Sequence, residues 1–463
     1  MNDPTEPRVH AGADIIDFPT GPTVYNLTDV GNAQRLVARH GPSLRYLHRW
    51  TRWMIWDNTR WIEDHQGQAC AWFKETMQAL AADAVELADD KERKRTLRHA
   101  LASEGAGRVR GGLDMARSEA GIPIQPDHLD ADPLLLNLTN CTYDLATETA
   151  RPHRREDLLS KQAPVDYQPD AQCPLWDTFI QRILPDPAIR RYVQQLAGYS
   201  LTANTGEQIL PILYGLGANG KSTFLETYRH LLGDYGQVAP ASVFLEQKEG
   251  IPSDIARLRG TRFVMVSEIS EGKRLNEALV KRLTGGDTLS ARFLYSDYFE
   301  FKPTFKAFLS TNHRPEIRGT DEAIWRRIRL IPFTVTIPEP ERDPDLQDKL
   351  KSELSGILNW ALAGYQDWAA NRLTTPTAVV AATQEYRADS DLIGAFLTDN
   401  TQETPGGWVR NGEIYERYST WSRTNAGDPL TPKAFTQRML ERGYQQHRTR
   451  QNGRMWLDLE LNT

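Results

Sequence analysis

The sequence predicts an α/β fold, and three stretches carry this prediction. An apolar strand run over residues 209–214 leads through a glycine-rich stretch into a helical run over 222–232. Two further apolar strand runs follow at 262–268 and 305–313. This alternation of strand and helical runs indicates an α/β core in the middle of the chain.

The glycine-rich stretch satisfies the pattern G-x-x-x-x-G-K-[ST], which is typical of P-loops that bind nucleotide phosphates. Its glycines let backbone N–H groups turn toward an anion at the helix N-terminus. We expect Lys221 to reach the β- and γ-phosphates of ATP and the Ser222 hydroxyl to ligate Mg²⁺. The alternative is a glycine-rich turn with a chance lysine, and both flanks argue against it. The residues predicted to bind the nucleotide are Gly215, Gly217, Ala218, Asn219, Gly220, Lys221, Ser222 and Thr223.

Three polar features follow the glycine-rich stretch in the order expected of an ATP-hydrolysing core. The strand run 262–268 ends in Glu268, which we expect to act as general base and to contact Mg²⁺ through water. The run 305–313 carries Asn312, whose amide could hold the attacking water, although an ordinary turn residue is the alternative. Arg326 and Arg327 lie at a predicted helix-to-strand junction. From such a position, an arginine in an oligomeric ATPase reaches a neighbour's γ-phosphate.

Residues 292–303 predict a β-hairpin whose tip is near Ser296 and Asp297. It lies just before the strand run that carries Asn312. The candidate DNA contacts on this hairpin are Arg292, Tyr295 and Lys302.

The N-terminal region, predicted as a mixed α+β domain over residues 23–165, interleaves arginines and aromatics between residues 33 and 61. Such a pattern is used in single-strand binding, where cations hold phosphates and rings stack on bases. It is equally compatible with a small aromatic core, because residues 52–61 predict a β-hairpin turning at Asp57 and Asn58. Asp130 and Asp132 form a D-x-D pair, for which turn chemistry is preferred over metal binding.

The C-terminal region is predicted to begin with a linker at 373–377 and to contain helices followed by a short hairpin near Asn452. Between residues 406 and 458, nine basic residues stand against five acidic ones, in a chain of net charge −6. A local basic surface of this kind is the footprint of a DNA-contacting module. The alternative is a module used for protein contacts. The candidate DNA contacts here are Lys433, Arg438, Arg448, Arg450 and Arg454.

Composition limits the class of protein. The chain has 463 residues, of which 40% are hydrophobic and 25% are charged, as in a soluble globular protein of about three domains. No run of 18 apolar residues occurs, so no membrane partner is expected. The first 22 residues predict a flexible tail and not a signal peptide. The three cysteines are far apart, which disfavours zinc sites and disulfides and favours the cytoplasm.

The order of these motifs resembles the superfamily-3 helicases of phages, plasmids and DNA viruses. It is similar in particular to the helicase half of the phage and plasmid primase–helicase family, which includes the poxvirus primase–helicase. Stretches 27–36, 129–133 and 173–176 look like the domain that precedes the ATPase in that family, so the resemblance covers about residues 25–340. The resemblance implies an AAA+-like ATPase domain over 166–372 and a winged-helix domain within 373–463.

The resemblance also implies roles for single residues. Walker A matches at Lys221 and Ser222, and Walker B matches at Glu268. Sensor 1 matches at Asn312. The arginine finger matches at Arg327, with Arg326 as its nearest rival. Lys281 and Asp287 fall in the motif that is peculiar to this superfamily.

Two departures from the family pattern affect the functional prediction. The hairpin tip lacks the lysine or histidine that often tracks DNA, so DNA contact is expected to shift to Arg292, Lys302 or other loops. Relatives begin with a primase–polymerase domain for which this chain has no room, so we expect a helicase without primer synthesis.

The function expected from these observations is ATP-dependent unwinding of single-stranded or forked DNA in the replication of a phage, prophage or plasmid. A ring, expected to be a hexamer, would act in the bacterial host cytoplasm, and a separate primase or polymerase is a possible partner. One alternative is an origin-binding initiator or loader ATPase with little processive unwinding. A defence or satellite-element ATPase that has borrowed the core is a third reading.

Overall fold

The structure of the protein is a computed structural model. It describes residues 25–246, 253–266, 269–292, 298–317, 319, 321–425, 429–449 and 453–462. The predictions made for the first 22 residues, Glu268, Tyr295, Arg450, the hairpin tip at 296–297 and the turn near Asn452 lie outside the described residues.

The N-terminal part combines helices with two small antiparallel sheets. Its elements are α1 (Asp29–His40), β1 (Leu44–Leu47), β2 (Arg52–Trp56), β3 (Trp61–Glu63), α2 (Gln68–Val85), α3 (Asp90–Ser103), α4 (Ala106–Ala116), β4 (Leu135–Asn137), β5 (Thr142–Asp144) and β6 (Thr149–Arg151). Strands β1, β2 and β3 form one sheet in that order, and β4, β5 and β6 form the other. The hairpin predicted over 52–61 is confirmed, because Trp56 pairs with Trp61. Asn58 takes the left-handed conformation in its turn.

The arginine- and tryptophan-rich stretch mainly builds core. Trp61 is fully buried and Trp56 nearly so, and the Arg45 guanidinium lies 4.8 Å above the Trp61 ring. Burial lowers the pKa of Arg45 to about 10. Trp50 differs from these residues because it keeps 40% of its surface exposed.

The central part is an α/β unit. Its elements are α5 (Pro174–Ile183), α6 (Pro187–Ser200), β7 (Leu210–Tyr214), α7 (Lys221–Leu232), β8 (Gly236–Ala239), β9 (Phe263–Val266), α8 (Glu277–Gly285), β10 (Leu289–Ala291), β11 (Phe299–Phe301), β12 (Lys306–Thr311), α9 (Glu322–Trp325), β13 (Ile328–Pro332), α10 (Leu346–Lys351), α11 (Leu354–Asn371) and α12 (Thr377–Ser390). Five of these strands form a parallel sheet in the order β13-β7-β12-β9-β8. Strands β10 and β11 pair separately as an antiparallel hairpin. The predicted α/β core is therefore present.

Apolar side chains cover both faces of the parallel sheet, as expected for a sheet of this type. One face packs against a cluster that includes Trp176, Phe224 and Phe308, and the other against a cluster that includes Ile212 and Trp325. Six consecutive buried residues make up β12.

The C-terminal part is a small unit with its own core around Phe396, Phe435 and Trp456. Its elements are α13 (Leu392–Asn400), β14 (Thr401–Arg410), α14 (Asn411–Asn425), α15 (Pro432–Glu441), β15 (Gln446–Thr449) and β16 (Gly453–Leu461). The strands form an antiparallel sheet in the order β14-β16-β15. The predicted second helix and hairpin are both found in this unit.

Packing places two boundaries differently from the sequence prediction. Leu136 and Tyr143 of the second small sheet belong to the same buried cluster as the central helices, so the packing is continuous across residue 165. Helix α12 follows the predicted linker, yet Val379 and Tyr386 are buried against the central sheet. Asp391 is therefore the point where the C-terminal unit begins. Patterning could not show this, because the burial of α12 depends on partners far away in sequence.

No helix within the described ranges is both long and apolar enough to cross a membrane.

Candidate nucleotide site

The glycine-rich loop joins the end of β7 to the start of α7, at the carboxyl edge of the parallel sheet. Its first and last glycines are required by close packing. A Cβ at Gly215 would lie 2.2 Å from the carbonyl oxygen of Phe333, and a Cβ at Gly220 would lie 2.5 Å from Cγ2 of Ile183. Gly220 also has φ +81°, a conformation that side chains disfavour. The loop thus keeps its backbone in a shape that few other sequences allow.

Lys221 is the first residue of α7, and only 4% of its surface is exposed. Its Nζ donates to the Gly215 carbonyl at 2.6 Å, to Asn219 Oδ1 at 3.1 Å and to Asn312 Oδ1 at 3.1 Å. All three acceptors are neutral. A buried ammonium at the start of a helix and next to a glycine-rich loop is suited to bind an anion, since opposite charge offsets the desolvation of the ammonium.

Strand register explains how Asn312 reaches the loop. Strands β12 and β7 run parallel, and Thr311 stands opposite Tyr214. The next residues, Asn312 and Gly215, therefore leave the sheet side by side. This neighbouring position brings the Asn312 amide to the glycine-rich loop.

The remaining loop residues fit a phosphate group and a metal ion. Gly217 and Ala218 are exposed, and nothing lies within 4 Å of a Cβ added at Gly217. Ser222 is exposed on the first turn of α7, where Thr223 follows it and backbone dipoles favour negative charge. The described residues contain no group of three or more His, Cys, Asp and Glu side chains arranged for a metal. The Ser222 hydroxyl suits Mg²⁺ that is shared with phosphate oxygens.

The two candidate finger arginines lie at the end of α9 in different environments. Arg327 is only 6% exposed, and it donates from Nε to Thr284 Oγ1 at 3.0 Å and from Nη1 to the Ala323 carbonyl. Burial and the neighbouring Arg326 lower the pKa of Arg327. Arg326 is exposed and donates to Gln208 Oε1 at 2.8 Å. Of these two arginines, only Arg326 is exposed.

Lys281 holds the helix that carries these arginines. Its Nζ lies 2.9 Å from Oδ2 of Asp321, and Asp321 caps α9 by accepting from the Ile324 N–H at 3.1 Å. Burial alone would raise the pKa of Asp321, but the Lys281 hydrogen bond leaves it lower than usual. Asp287 lies near Arg327, and its negative charge partly offsets the lowering of the Arg327 pKa. Lys281 therefore contacts the capping residue of the helix that precedes these arginines, and Asp287 lies near Arg327.

The candidate DNA contacts lie outside this site. Arg292 and Lys302 are both exposed, and they lie at opposite ends of the β10–β11 ladder, because Arg292 follows the Ala291–Phe299 pair and Lys302 follows the Leu289–Phe301 pair. The Arg292 guanidinium lies 5.0 Å from the centre of the Tyr298 ring. In the C-terminal unit, Arg448 and Arg454 stand directly opposite each other on β15 and β16, and both are exposed. Lys433 is exposed on α15, whereas Arg438 is half-buried and pairs with Glu441.

Arg314 also lies in this region, and no role was predicted for it from the sequence. Its guanidinium lies 5.0 Å from the Tyr214 ring centre and forms ion pairs with Glu385 and Asp389 on α12. It thus links the strand end that carries Asn312 to the last helix of the central unit. Its position two residues after Asn312 was the one available signal, since its partners lie about 70 residues away.

Comparison with known proteins gives two family matches. Residues 33–185 match a family described as D5 N terminal like, and residues 213–327 match a family of unknown function, DUF5906. The A-form apo structure of the NrS-1 C-terminal region has a similar fold, with a TM-score of 0.50 and 11% identity over 93% of this chain and 99% of that one.

The similar curated proteins are viral. A protein of Acanthamoeba polyphaga mimivirus named "Putative helicase" is 28% identical over 69% of this chain and 36% of its own length. The Frog virus 3 protein named "Putative helicase" is 24% identical over 68% of this chain and 41% of its own length. The African swine fever virus protein named "Putative primase" is 24% identical over 64% of this chain and 34% of its own length. The chain thus spans about two-fifths or less of these relatives, and its D5 N terminal like segment and these relatives together support a family of phage and viral primase–helicases.

Proposed function

We propose that this chain hydrolyses ATP at the glycine-rich loop and uses the energy to unwind DNA during replication of a phage, prophage or plasmid. The observation that carries the proposal is the buried Lys221 ammonium, held by Gly215, Asn219 and Asn312 at the carboxyl edge of a parallel sheet. The similarity to viral proteins named as helicases and primases supports the choice of DNA as substrate.

The residues of the loop would bind and orient the phosphates of ATP. Lys221 would exchange its neutral acceptors for β- and γ-phosphate oxygens, and the first turn of α7 would face them with backbone N–H groups. Mg²⁺ held with the help of the Ser222 hydroxyl would neutralise part of the charge on these oxygens. Asn312 would orient the attacking water, and Glu268 is proposed to accept its proton.

An arginine from a neighbouring subunit would complete the site. We propose a ring, with a hexamer as the expected size, in which Arg326 reaches the neighbour's γ-phosphate. Arg326 is exposed, whereas Arg327 would first have to leave Thr284 and Ala323 of its own subunit. Such a residue stabilises the charge of the transition state.

DNA would be held by the β10–β11 hairpin and by the C-terminal unit, for which we propose a winged-helix role. Like charges directly opposite each other on paired strands are destabilising, so the exposed Arg448–Arg454 pair is favourable only when it meets a polyanion.

A second candidate function is an origin-binding initiator that turns over ATP without processive unwinding. The acidic chain as a whole and the basic C-terminal unit favour this alternative, since DNA binding would then be concentrated in one module. A defence or satellite-element ATPase remains a third hypothesis that no described feature favours.

A strand-displacement assay on a fluorescently labelled fork tests the proposal. The wild-type chain with ATP and Mg²⁺ is expected to release the labelled strand, and Lys221→Ala is expected to lose both release and ATP turnover because its phosphate contact is gone. ATP turnover without release would favour the initiator. Full turnover by Lys221→Ala would contradict the assignment of the site.

A further inference from the structure

The turn between β1 and β2 in the N-terminal part contacts the hairpin of the central unit. Arg49 Nη2 lies 3.4 Å from the carbonyl oxygen of Tyr298. On the other side of this contact, the Arg259 guanidinium lies 4.8 Å from the Trp50 ring centre and 6.0 Å from that of Phe299. Residues that are distant in sequence thus form one continuous cluster.

The aromatic rings of this cluster are exposed. Trp50 keeps 40% of its surface exposed, and Tyr298 keeps 64%. Trp56 and Trp61, only a few residues beyond Trp50, are buried in the core. Two large exposed rings near the junction of two units, rimmed by polar side chains, form the kind of patch that marks a binding surface.

Positive charge surrounds both rings. Arg292 lies over Tyr298, Arg259 lies over Trp50, and Arg49 contacts the Tyr298 carbonyl. Three acids are nearby, one of which is Asp130, whose charge acts on Arg259. Asp127 is engaged by Arg259 at 2.8 Å, and Glu300 is exposed beside Phe299. The cluster therefore alternates cations with stacking surfaces.

We propose that this arginine–aromatic cluster, formed by Arg49, Trp50, Arg259, Arg292 and Tyr298, binds one strand of DNA. Bases stack on the faces of Trp50 and Tyr298 opposite their arginines, where any base is accepted, and the arginines bind the phosphates. The inference rests on the proposed helicase function, and it adds the N-terminal part to the path of the strand. This role explains why Trp50 is exposed while the neighbouring Trp56 and Trp61 are buried.

Cross-linking tests where the strand lies. An oligothymidine of about 12 nucleotides that carries one 5-iododeoxyuridine is irradiated with the full chain, and the adduct is mapped by mass spectrometry. An adduct on Trp50 or Tyr298 is expected, because this reagent reacts with stacked aromatic rings. Adducts confined to the C-terminal unit would overturn the proposal.

Fluorescence anisotropy with the same oligonucleotide tests the energetics. Trp50→Ala and Tyr298→Ala are each expected to weaken binding about tenfold, because a base stacked on an aromatic ring contributes this order of affinity. Trp50→Phe should retain most of the binding. Arg49→Ala should also flatten the salt dependence of binding, whereas Arg39→Ala, an exposed arginine on α1 paired with Glu75, should not.

The outcomes separate this inference from the proposed function. Failure of the wild-type chain to bind the oligonucleotide would contradict the proposed DNA-unwinding function itself. Wild-type binding that persists unchanged in Trp50→Ala and Tyr298→Ala would overturn the arginine–aromatic cluster as a DNA site and leave the helicase proposal standing. A lower melting temperature of Trp50→Ala with unchanged affinity would show that Trp50 only joins the two units.

Discussion

Arg326 and Arg327 are adjacent in sequence, yet the structure gives them opposite environments. Arg327 is buried and anchors α9 to the end of α8 through Thr284, while Arg326 is exposed. A basic pair in the sequence does not show which member is exposed, because that depends on the direction in which α9 enters β13. The choice of Arg327 from the motif remains a prediction, and the geometry favours Arg326.

Mixed-subunit ATPase measurements decide between the two arginines. We expect Glu268→Gln mixed with Arg326→Ala to recover part of the wild-type ATPase rate, because each subunit type supplies what the other lacks. Arg327→Ala is expected to lower the melting temperature, since it removes two hydrogen bonds made in a buried position. Recovery with Arg327→Ala and none with Arg326→Ala would reverse the assignment, and no recovery in either mixture would remove support for a shared site.

Helices α6 and α11 pack so closely that their backbones touch. A Cβ at Gly364 of α11 would lie 2.1 Å from the Gln194 carbonyl oxygen, and one at Gly198 of α6 would lie 1.9 Å from the Tyr365 nitrogen. These helices pack, together with α7, on one face of the sheet that contains β7. Close helix packing therefore contributes to the position of the glycine-rich loop.

Gly364→Ala is expected to destabilise the protein by about 2 kcal/mol, because the added methyl group would overlap backbone atoms that cannot move independently. The matched control is Gly107→Ala in α4, where nothing lies within 4 Å of the added atom. It should leave stability unchanged or raise it slightly. Chemical denaturation curves of both variants provide the comparison, and equal midpoints would contradict the close packing.

Individual elements were predictable from the sequence to the extent that their pattern is local. The strand at 210–214, its glycine-rich loop and α7 were all predicted, because a short apolar run, three glycines and helical spacing are visible within 25 residues. The burial of α12 and the exposure of Trp50 were not predictable. Both are set by partners in other parts of the chain, and neither has a pattern of its own.

The N-terminal and central parts share a buried polar junction. Arg262 is 2% exposed, donates to the carbonyl oxygens of Leu201 and Leu135, and lies 4.4 Å from the Tyr235 ring centre. The Tyr235 hydroxyl in turn donates to the Lys161 carbonyl at 3.2 Å. We expect the two parts to unfold together, since breaking one side leaves buried groups without partners.

Arg262→Met tests this coupling by scanning calorimetry. Loss of the guanidinium leaves two buried carbonyls unpaired, so the variant should be less stable by about 3 kcal/mol. Arg257 is exposed and, like Arg262, lies in the connection between β8 and β9. Arg257→Met should therefore melt like the wild-type chain. An unchanged melting temperature of Arg262→Met would show that the junction does not support the fold.

Helices α12 and α13 are separated by a single residue, Asp391, which ends one helix and caps the other by accepting from the Gly394 N–H at 3.0 Å. Because α12 packs against the central sheet, the C-terminal unit is tethered to the central unit by one residue and not by a flexible chain. For two proposed DNA contacts linked in this way, the second binding event becomes intramolecular. A tether this short gives a high effective concentration when both contacts fit one DNA molecule, and avidity then exceeds either single affinity by about 100-fold or more.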